Sequence, residues 1–155
     1  MSRFLHEHLS GYCVRDEAHL RGMIEYVPEF NPRARHPPVL RPDILVTKGT
    51  DPAAVLDAKY RDLWENALPR DMLYQVAIYA AVHAGRVATI LYPTTAARAL
   101  ESRLAVHHPL TGGCIATVCL RPVVLPELEE LLTARPTAAN DRRRRAFARQ
   151  LAFGR

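Results

Sequence analysis

The amino-acid sequence predicts an α/β or α+β domain in which helices flank a mixed β-sheet. Segments with the 3.6-residue periodicity of helices alternate along the chain with short apolar runs typical of strands. Residues 70–84 contain neither glycine nor proline, which indicates a helix in the middle of the chain. The 155 residues are 48% hydrophobic, an ordinary fraction for a globular protein. A chain of this length fits one domain, with or without an appendage.

The N-terminal half is predicted to contain one helix and three strands. Residues 3–13 place apolar side chains at helical spacing, and residues 23–27 form a short apolar run. A proline-rich loop follows that run. Two further strands, 39–47 and 53–60, are joined by a segment of lysine, glycine, threonine, aspartate and proline, which is rich in turn-forming residues.

The C-terminal half is predicted to alternate between helices and strands. The helix at 70–84 ends near Gly85, and an apolar strand at 87–92 follows. The remaining predicted elements are a hairpin of strands 104–107 and 114–120, and two helices at 126–134 and 140–153.

The positive charge of the chain is concentrated at its C-terminal end. The formal net charge is +5, and residues 137–155 hold six arginines against a single acid, so the rest of the chain is neutral. We therefore divide the chain into a domain at 1–136 and a basic helix at 137–155, packed on that domain or appended to it. The arginines at 142–145 either contact phosphates or form a solvated helix face, and the second is the commoner meaning of such a run. The candidate DNA-binding residues in this run are Arg142, Arg143, Arg144 and Arg145.

Several sequence features predict a soluble cytoplasmic protein without a membrane partner. No uninterrupted apolar stretch approaches the 18 or so residues of a membrane span. His6, Glu7 and His8 lie where a signal peptide needs an apolar core. The three cysteines are an odd number without close pairing, which argues against a disulfide framework.

Two carboxylates and a lysine interrupt the apolar hairpin strands. Strand alternation puts Asp57 and Lys59 on the same face of the sheet. If the hairpin pairs symmetrically about Thr50, Asp43 lies directly opposite Asp57. Two carboxylates at that separation repel each other unless a cation or a proton lies between them.

Oxygen ligands of this kind suit magnesium or manganese. An ion held by Asp43, Asp57 and the carbonyl of Ala58 would polarise a phosphodiester and lower the pKa of a bound water. Lys59 would orient that water or stabilise developing negative charge. The chain has two lysines and nineteen arginines, so a lysine here is not background composition. The alternative is an ordinary ion pair of Asp57 and Lys59 on a solvated edge strand, and the two interpretations have equal weight at this point.

The helix after the hairpin places Gln75 and Tyr79 four residues apart, on one face. A hairpin with Asp-x-Lys followed at short range by a helix with Gln-x-x-x-Tyr resembles the PD-(D/E)xK nuclease superfamily. The segments RPDILV, VLDAKY, DMLYQVAIYA and TILYP resemble the McrC nuclease subunits of McrBC-type restriction systems, which act on modified cytosine. The resemblance covers residues 3–93 well and the remainder loosely.

This resemblance implies a restriction-endonuclease-like core and a role for each matched residue. It implies that Asp43 and Asp57 are metal ligands and that Lys59 is the catalytic lysine. Glu7, on the first helix, would be an auxiliary metal-proximal acid. Gln75 and Tyr79 would support the site or the DNA backbone.

The function implied is a Mg²⁺- or Mn²⁺-dependent DNA endonuclease that restricts DNA containing 5-methylcytosine. Members of the McrC branch normally carry a sizeable N-terminal region that engages an AAA+ GTPase, whereas this sequence starts at the nuclease core. Three alternatives are therefore open: the protein couples to such a partner, it is a free-standing repair-type nuclease, or it is a fragment. A homodimer is also possible in each case. A catalytically silent DNA-binding or partner-docking module of the same fold is the alternative from another functional class.

Overall fold

The computed structural model describes residues 1–20 and 22–154. The described residues form one six-stranded sheet and four α-helices. The strands are β1 (Cys13–Asp16), β2 (Ile44–Lys48), β3 (Asp51–Ala58), β4 (Val87–Thr94), β5 (Ser102–His107) and β6 (Cys114–Val124). The helices are α1 (Ser2–His8), α2 (Arg70–Val82), α3 (Leu125–Thr133) and α4 (Ala138–Phe153).

The sheet is mixed, with strand order β1-β2-β3-β4-β6-β5. The central β3–β4 and β4–β6 pairs are parallel, and the remaining pairs are antiparallel. This confirms the predicted fold class, a mixed sheet flanked by helices that is consistent with a restriction-endonuclease-like core. Parallel strands are buried on both faces, and β3 and β4 accordingly lie in the centre of the molecule.

Each face of the sheet has its own hydrophobic core. Helices α1, α3 and α4 cover one face, where Phe4, Leu56 and Phe147 belong to the same buried cluster. Helix α2 covers the other face, where Val76 and Tyr79 pack with side chains of the central strands. Alternate residues along a strand therefore point into opposite cores.

The predicted N-terminal helix is too long. Helix α1 ends at His8, and the chain then turns through Gly11, which has a φ of +83°. Glycine adopts this left-handed conformation without the steric cost that a side chain would add. The turn lets residues 13–16 pair with β2 as an edge strand that the sequence analysis missed, because only Val14 in it is buried.

The strand predicted at 23–27 does not form. This segment is irregular and leads into a single 3₁₀ turn at Pro28–Phe30. Its apolar residues Tyr26 and Val27 are exposed, so the run does not contribute to either core. An apolar run becomes a strand only where a neighbouring strand accepts its backbone hydrogen bonds, and the edge of this sheet is taken by β1.

The C-terminal helices form close to their predicted positions. The side chain of Thr137 caps α4 by accepting a hydrogen bond from the Asn140 amide at 3.2 Å. Phe147 and Leu151 of α4 are buried in the larger core, so this helix is packed against the sheet. Within the described residues, no helix combines the length and apolar character that crossing a bilayer requires.

Candidate metal-dependent nuclease site

The hairpin register brings Asp43 next to Asp57. Ile44 pairs with Leu56, so the next positions along the two strands are Asp43 and Asp57. The connection is a two-residue turn, and a bulge beyond Val46 restores the register that symmetric pairing predicts. The predicted juxtaposition of the two aspartates therefore arises from a tight turn combined with a bulge.

Asp43 is fixed to the end of β3 by a hydrogen bond. The backbone N–H of Ala58 donates to Asp43 Oδ2 at 2.7 Å. The next amide, that of Lys59, donates to the carbonyl of Leu91 in β4 at 2.8 Å. The carboxylate of Asp43 thus lies where β3 leaves the sheet, held by a backbone group that cannot move independently of the strand.

Asp57 is a buried carboxylate whose neighbouring cation is Lys59. Its residue is 1% exposed, and Lys59 Nζ lies 2.6 Å from its Oδ2. Within the described part of the chain, no donor is directed at Oδ2 with hydrogen-bond geometry, so the contact with Lys59 is electrostatic. Burial raises the pKa of Asp57; Lys59 opposes the shift, and the charge of Asp43 adds to it.

The pKa shift of Asp57 predicts how stability depends on pH. The folded-state pKa lies above the ordinary value of 3.8, so the protonated form of Asp57 stabilises the fold. This stabilisation is complete below pH 3.8. It is lost as the pH rises through the folded-state pKa. Asp57→Asn cannot ionise, so we expect it to gain stability relative to the parent as the pH is raised from the ordinary pKa of 3.8 into the neutral range. Melting temperatures in EDTA across this range measure the difference.

The matched control is Asp51→Asn, at an exposed aspartate that begins β3 beside the turn of the same hairpin. We expect its melting temperature to follow that of the parent. A constant difference between Asp57→Asn and the parent over the same pH range would contradict the shift.

A cavity of about 690 Å³ opens beside these residues. Asp43, Ala58 and Lys59 line it, together with Asp16 and Glu17 at the end of β1. The amide of Glu17 donates to the carbonyl of Asp43 at 2.9 Å, which ties the two strand ends together. The sequence analysis missed Asp16 and Glu17 because it did not identify the strand that carries them to this edge.

Neither Asp57 nor Glu7 lines this cavity: Asp57 is buried beside Lys59, and Glu7 lies elsewhere on the surface. The Glu7 carboxylate pairs with Arg3 at 2.8 Å on the outer side of α1. It lines a different cavity, together with Leu128 and Leu132 of α3. The expected position of Glu7 is therefore corrected: α1 packs on the sheet through Phe4, and that packing turns Glu7 away from β3.

Gln75 and Tyr79 form a pair on α2, on the face of the sheet toward which Asp57 points. Gln75 Nε2 donates to the Tyr79 hydroxyl at 2.9 Å, and Tyr79 is 2% exposed. Burial raises the pKa of Tyr79, and the charges of Asp57 and Asp43 raise it further.

The four consecutive arginines of α4, at 142–145, have different environments, and Arg144 is buried rather than exposed to a DNA strand. Its residue is 9% exposed, and its guanidinium donates to the carbonyls of Leu131 and Ala134 and to Asp141. Arg144 therefore holds the end of α3, whose last carbonyls lack helical partners. Arg143 pairs with Glu130 at 2.9 Å. Arg142, Arg143 and Arg145 are all exposed, and Arg142 and Arg145 form no ion pair within the described residues.

The donor set at this site fits a magnesium ion that is completed by substrate. No group of three or more His, Cys, Asp or Glu side chains among residues 1–20 and 22–154 is placed to hold an ion by itself. Mg²⁺ is commonly held by one or two carboxylates plus waters and phosphate oxygens. Asp43 and Asp57 provide two such carboxylates, and Asp57 Oδ2 is a buried oxygen without a directed donor.

Comparison with known proteins yields one structural likeness. No protein-family model matches the sequence, and no curated protein matches it. The fold matches a chain of a solved assembly from Thermococcus gammatolerans, described as McrB AAA+ hexamers with bound McrC. The TM-score is 0.51 and the sequence identity 22%, over 94% of this chain and 30% of the matched chain. The chain thus spans about 30% of the length of its structural neighbour, and at this identity the likeness is one of fold.

Proposed function

We propose that the protein is a Mg²⁺- or Mn²⁺-dependent endodeoxyribonuclease that hydrolyses DNA phosphodiester bonds. The observation that supports this most is the buried Asp57 carboxylate, which faces Lys59 at 2.6 Å next to Asp43. A buried carboxylate without directed donors is costly to a fold. A buried carboxylate whose pKa is raised by burial and that faces a specific charge partner is typical of a functional site.

Each residue of the site has a distinct task in this proposal. Asp43 and Asp57 would hold the ion, and the carbonyl of Ala58 is the third proposed ligand. When bound, the ion supplies Lewis-acid polarisation of the phosphate and a more acidic water. Lys59 would turn from Asp57 toward the cavity that it already lines, where its ammonium stabilises negative charge on the phosphate. Gln75 and Tyr79 would hold the Asp57 side of the sheet in place through their own hydrogen bond.

The biological setting that we propose is restriction of modified DNA, including DNA with 5-methylcytosine. The fold likeness to a chain from an McrB–McrC assembly supports this setting, as do the McrC-like segments of the sequence. It also makes an AAA+ GTPase a candidate partner. Arg142 and Arg145 are exposed and remain candidates for phosphate contacts, and a second copy of this chain is a further candidate partner.

Metal dependence is the direct test of the proposed activity. We expect duplex DNA to be nicked or cut with Mg²⁺ or Mn²⁺, and cleavage to stop when EDTA removes the metal. Plasmid relaxation assays with methylated and unmethylated DNA measure both the activity and any preference for modified cytosine. Undiminished cleavage in EDTA would contradict the metal mechanism.

The same assays distinguish the second candidate function, a silent DNA-binding or partner-docking module. The specific observation in its favour is that Lys59 already neutralises Asp57 without a metal. A protein that binds DNA but does not cut it with either metal, alone or with an AAA+ partner, would establish the silent module. Cleavage without such a partner would instead favour a free-standing, repair-type nuclease.

A further inference from the structure

The loop between β1 and β2 begins and ends at the candidate site, and hydrogen bonds order its tip. At its base, the Glu17 amide donates to the carbonyl of Asp43, and both residues line the cavity. Further along, Leu20 and Leu40 form an isolated bridge. Connections of this length without regular structure are uncommon in compact domains and are usually functional. The bridge closes the loop at its base, and most residues between 25 and 39 are exposed.

The tip of this loop is held in one conformation by a single side chain. Asn31 Oδ1 accepts from the amide of Arg35 at 2.9 Å, and its Nδ2 donates to the carbonyl of Arg35 at 3.0 Å. Ala34, between them, has a left-handed φ of +47°, and its amide donates to the carbonyl of Asn31. The two hydrogen bonds of Asn31, together with Pro32, fix the backbone from which the exposed side chains of Arg33 and Arg35 extend.

Two aromatic rings and two arginines share one cleft at this tip, which we name the tip cleft. It has a volume of about 230 Å³ and is lined by Tyr26, Phe30, Asn31, Pro32, Arg33 and Arg35. The volume is below the roughly 300–1,000 Å³ of pockets that take drug-sized ligands. The tip cleft therefore suits a single planar group at the surface.

The chemistry of the tip cleft is that of a nucleic-acid contact. Phe30 is 82% exposed, although leaving an aromatic ring in water forgoes the free energy of its burial. Within the described residues, neither Arg33 nor Arg35 has a carboxylate at ion-pair distance. Residues 30–41 contain three arginines and no acid. Exposed rings beside unpaired arginines are the combination with which proteins stack single bases and bind the adjoining phosphates.

We propose that the tip cleft is a nucleic-acid subsite, which takes one unstacked base on Phe30 and Tyr26 and the flanking phosphates on Arg33 and Arg35. The proposal rests on the proposed nuclease function, because it identifies part of the substrate of the same site. Arg35 and Asp43 are eight positions apart in the sequence, so their Cα atoms lie at most about 29 Å apart. That distance corresponds to about eight base pairs of duplex. The subsite would therefore select DNA with an unpaired or extruded base within that distance of the cut.

Binding measurements without metal test this subsite independently of cleavage. The probes are a fluorescently labelled single-stranded oligonucleotide and its fully paired duplex, with anisotropy recorded in EDTA. We expect Phe30→Ala to weaken binding of the single strand by about 5- to 100-fold and binding of the duplex much less. Phe30→Tyr, which keeps a ring, should restore most of the affinity. Phe30 is exposed, so its replacement should not impair folding, and circular dichroism checks this.

The arginines are tested by the salt dependence of single-strand binding. Arg33→Gln with Arg35→Gln should reduce the slope of log affinity against log salt by up to about 1.4. The matched control is Arg86→Gln, an exposed arginine that precedes β4 at the opposite end of the sheet, and its slope should equal that of the parent.

The outcomes separate this proposal from the proposed function. If Phe30→Ala binds the single strand as the parent does while metal-dependent cleavage persists, the subsite is wrong and the nuclease stands. The same result would leave a protein partner as the occupant of the tip cleft. If the parent binds neither probe and cuts no DNA, both proposals fail.

Discussion

Replacing Lys59 with alanine is expected to reduce DNA cleavage by several orders of magnitude while metal binding is retained or strengthened. Lys59 is the cation that now neutralises Asp57, at 2.6 Å, so a metal ion must compete with it for the same carboxylate. Its removal ends that competition. It also removes the ammonium that would stabilise charge on the phosphate in the transition state, and the chemical step should fail.

Two measurements reveal this dissociation of binding from chemistry. Calorimetric titration with Mg²⁺ or Mn²⁺ reports binding, and plasmid nicking reports cleavage. Removal of Lys59 leaves a buried charge at Asp57 without its cation, so added metal should raise the melting temperature of Lys59→Ala more than that of the parent. Asp57→Ala removes a proposed ligand instead, and metal binding and cleavage should fail together.

The chain offers a matched control in its other lysine, Lys48, which is exposed at the end of β2. Lys48→Ala should bind metal and cut DNA as the parent does. Cleavage by Lys59→Ala at the rate of an active parent would make Lys59 a structural residue and remove the catalytic assignment.

The second large effect is expected from Arg144. Arg144→Ala should lower the free energy of unfolding by about 3 kcal/mol, because it leaves buried carbonyls of α3 without donors. The partners that lose a hydrogen bond are Leu131 and Ala134, at 2.9 and 2.6 Å, and Asp141 also loses its ion pair. Urea denaturation of the parent and the variant measures the difference.

The neighbouring arginines provide the comparison within the same helix. Arg142→Ala and Arg145→Ala alter exposed side chains, so each should change the free energy of unfolding by no more than about 0.5 kcal/mol. If Arg142 and Arg145 contact phosphates, their joint replacement should reduce the salt dependence of duplex binding, by about 0.9 for each contact. Equal stabilities for Arg144→Ala and Arg145→Ala would contradict the structural role of Arg144.

The central hairpin could be predicted because its signals are local. The turn residues set the pairing register, and strand alternation then decides which face each side chain enters. Asp43 and Asp57 meet for that reason, and the helix periodicity of residues 70–84 places Gln75 and Tyr79 on one face of α2. The bulge beyond Val46 could not be predicted, since a one-residue irregularity leaves no clear pattern in the sequence.

The features that could not be predicted depend on contacts between distant parts of the chain. Glu17 enters the cavity only because residues 13–16 find an edge of the sheet to pair with. Arg144 is buried because α3 ends beside it, whereas in the sequence it is one member of a run of four arginines. An isolated sequence records charge and periodicity, but it does not record which surfaces meet.

The pairing of α1 with α4 also affects when the protein can fold during its synthesis. The rings of Phe4 and Phe147 lie 5.9 Å apart in an edge-to-face contact, and those of Tyr12 and Phe153 lie 4.8 Å apart. These contacts join residues separated by nearly the whole described chain, and contacts between such distant residues form slowly. The Asp-x-Lys hairpin leaves the ribosome before α4 does. Until α4 emerges, the hairpin lacks the side chains of α4 that pack against it. A nascent chain should therefore acquire a stable candidate site only after α4 has left the exit tunnel.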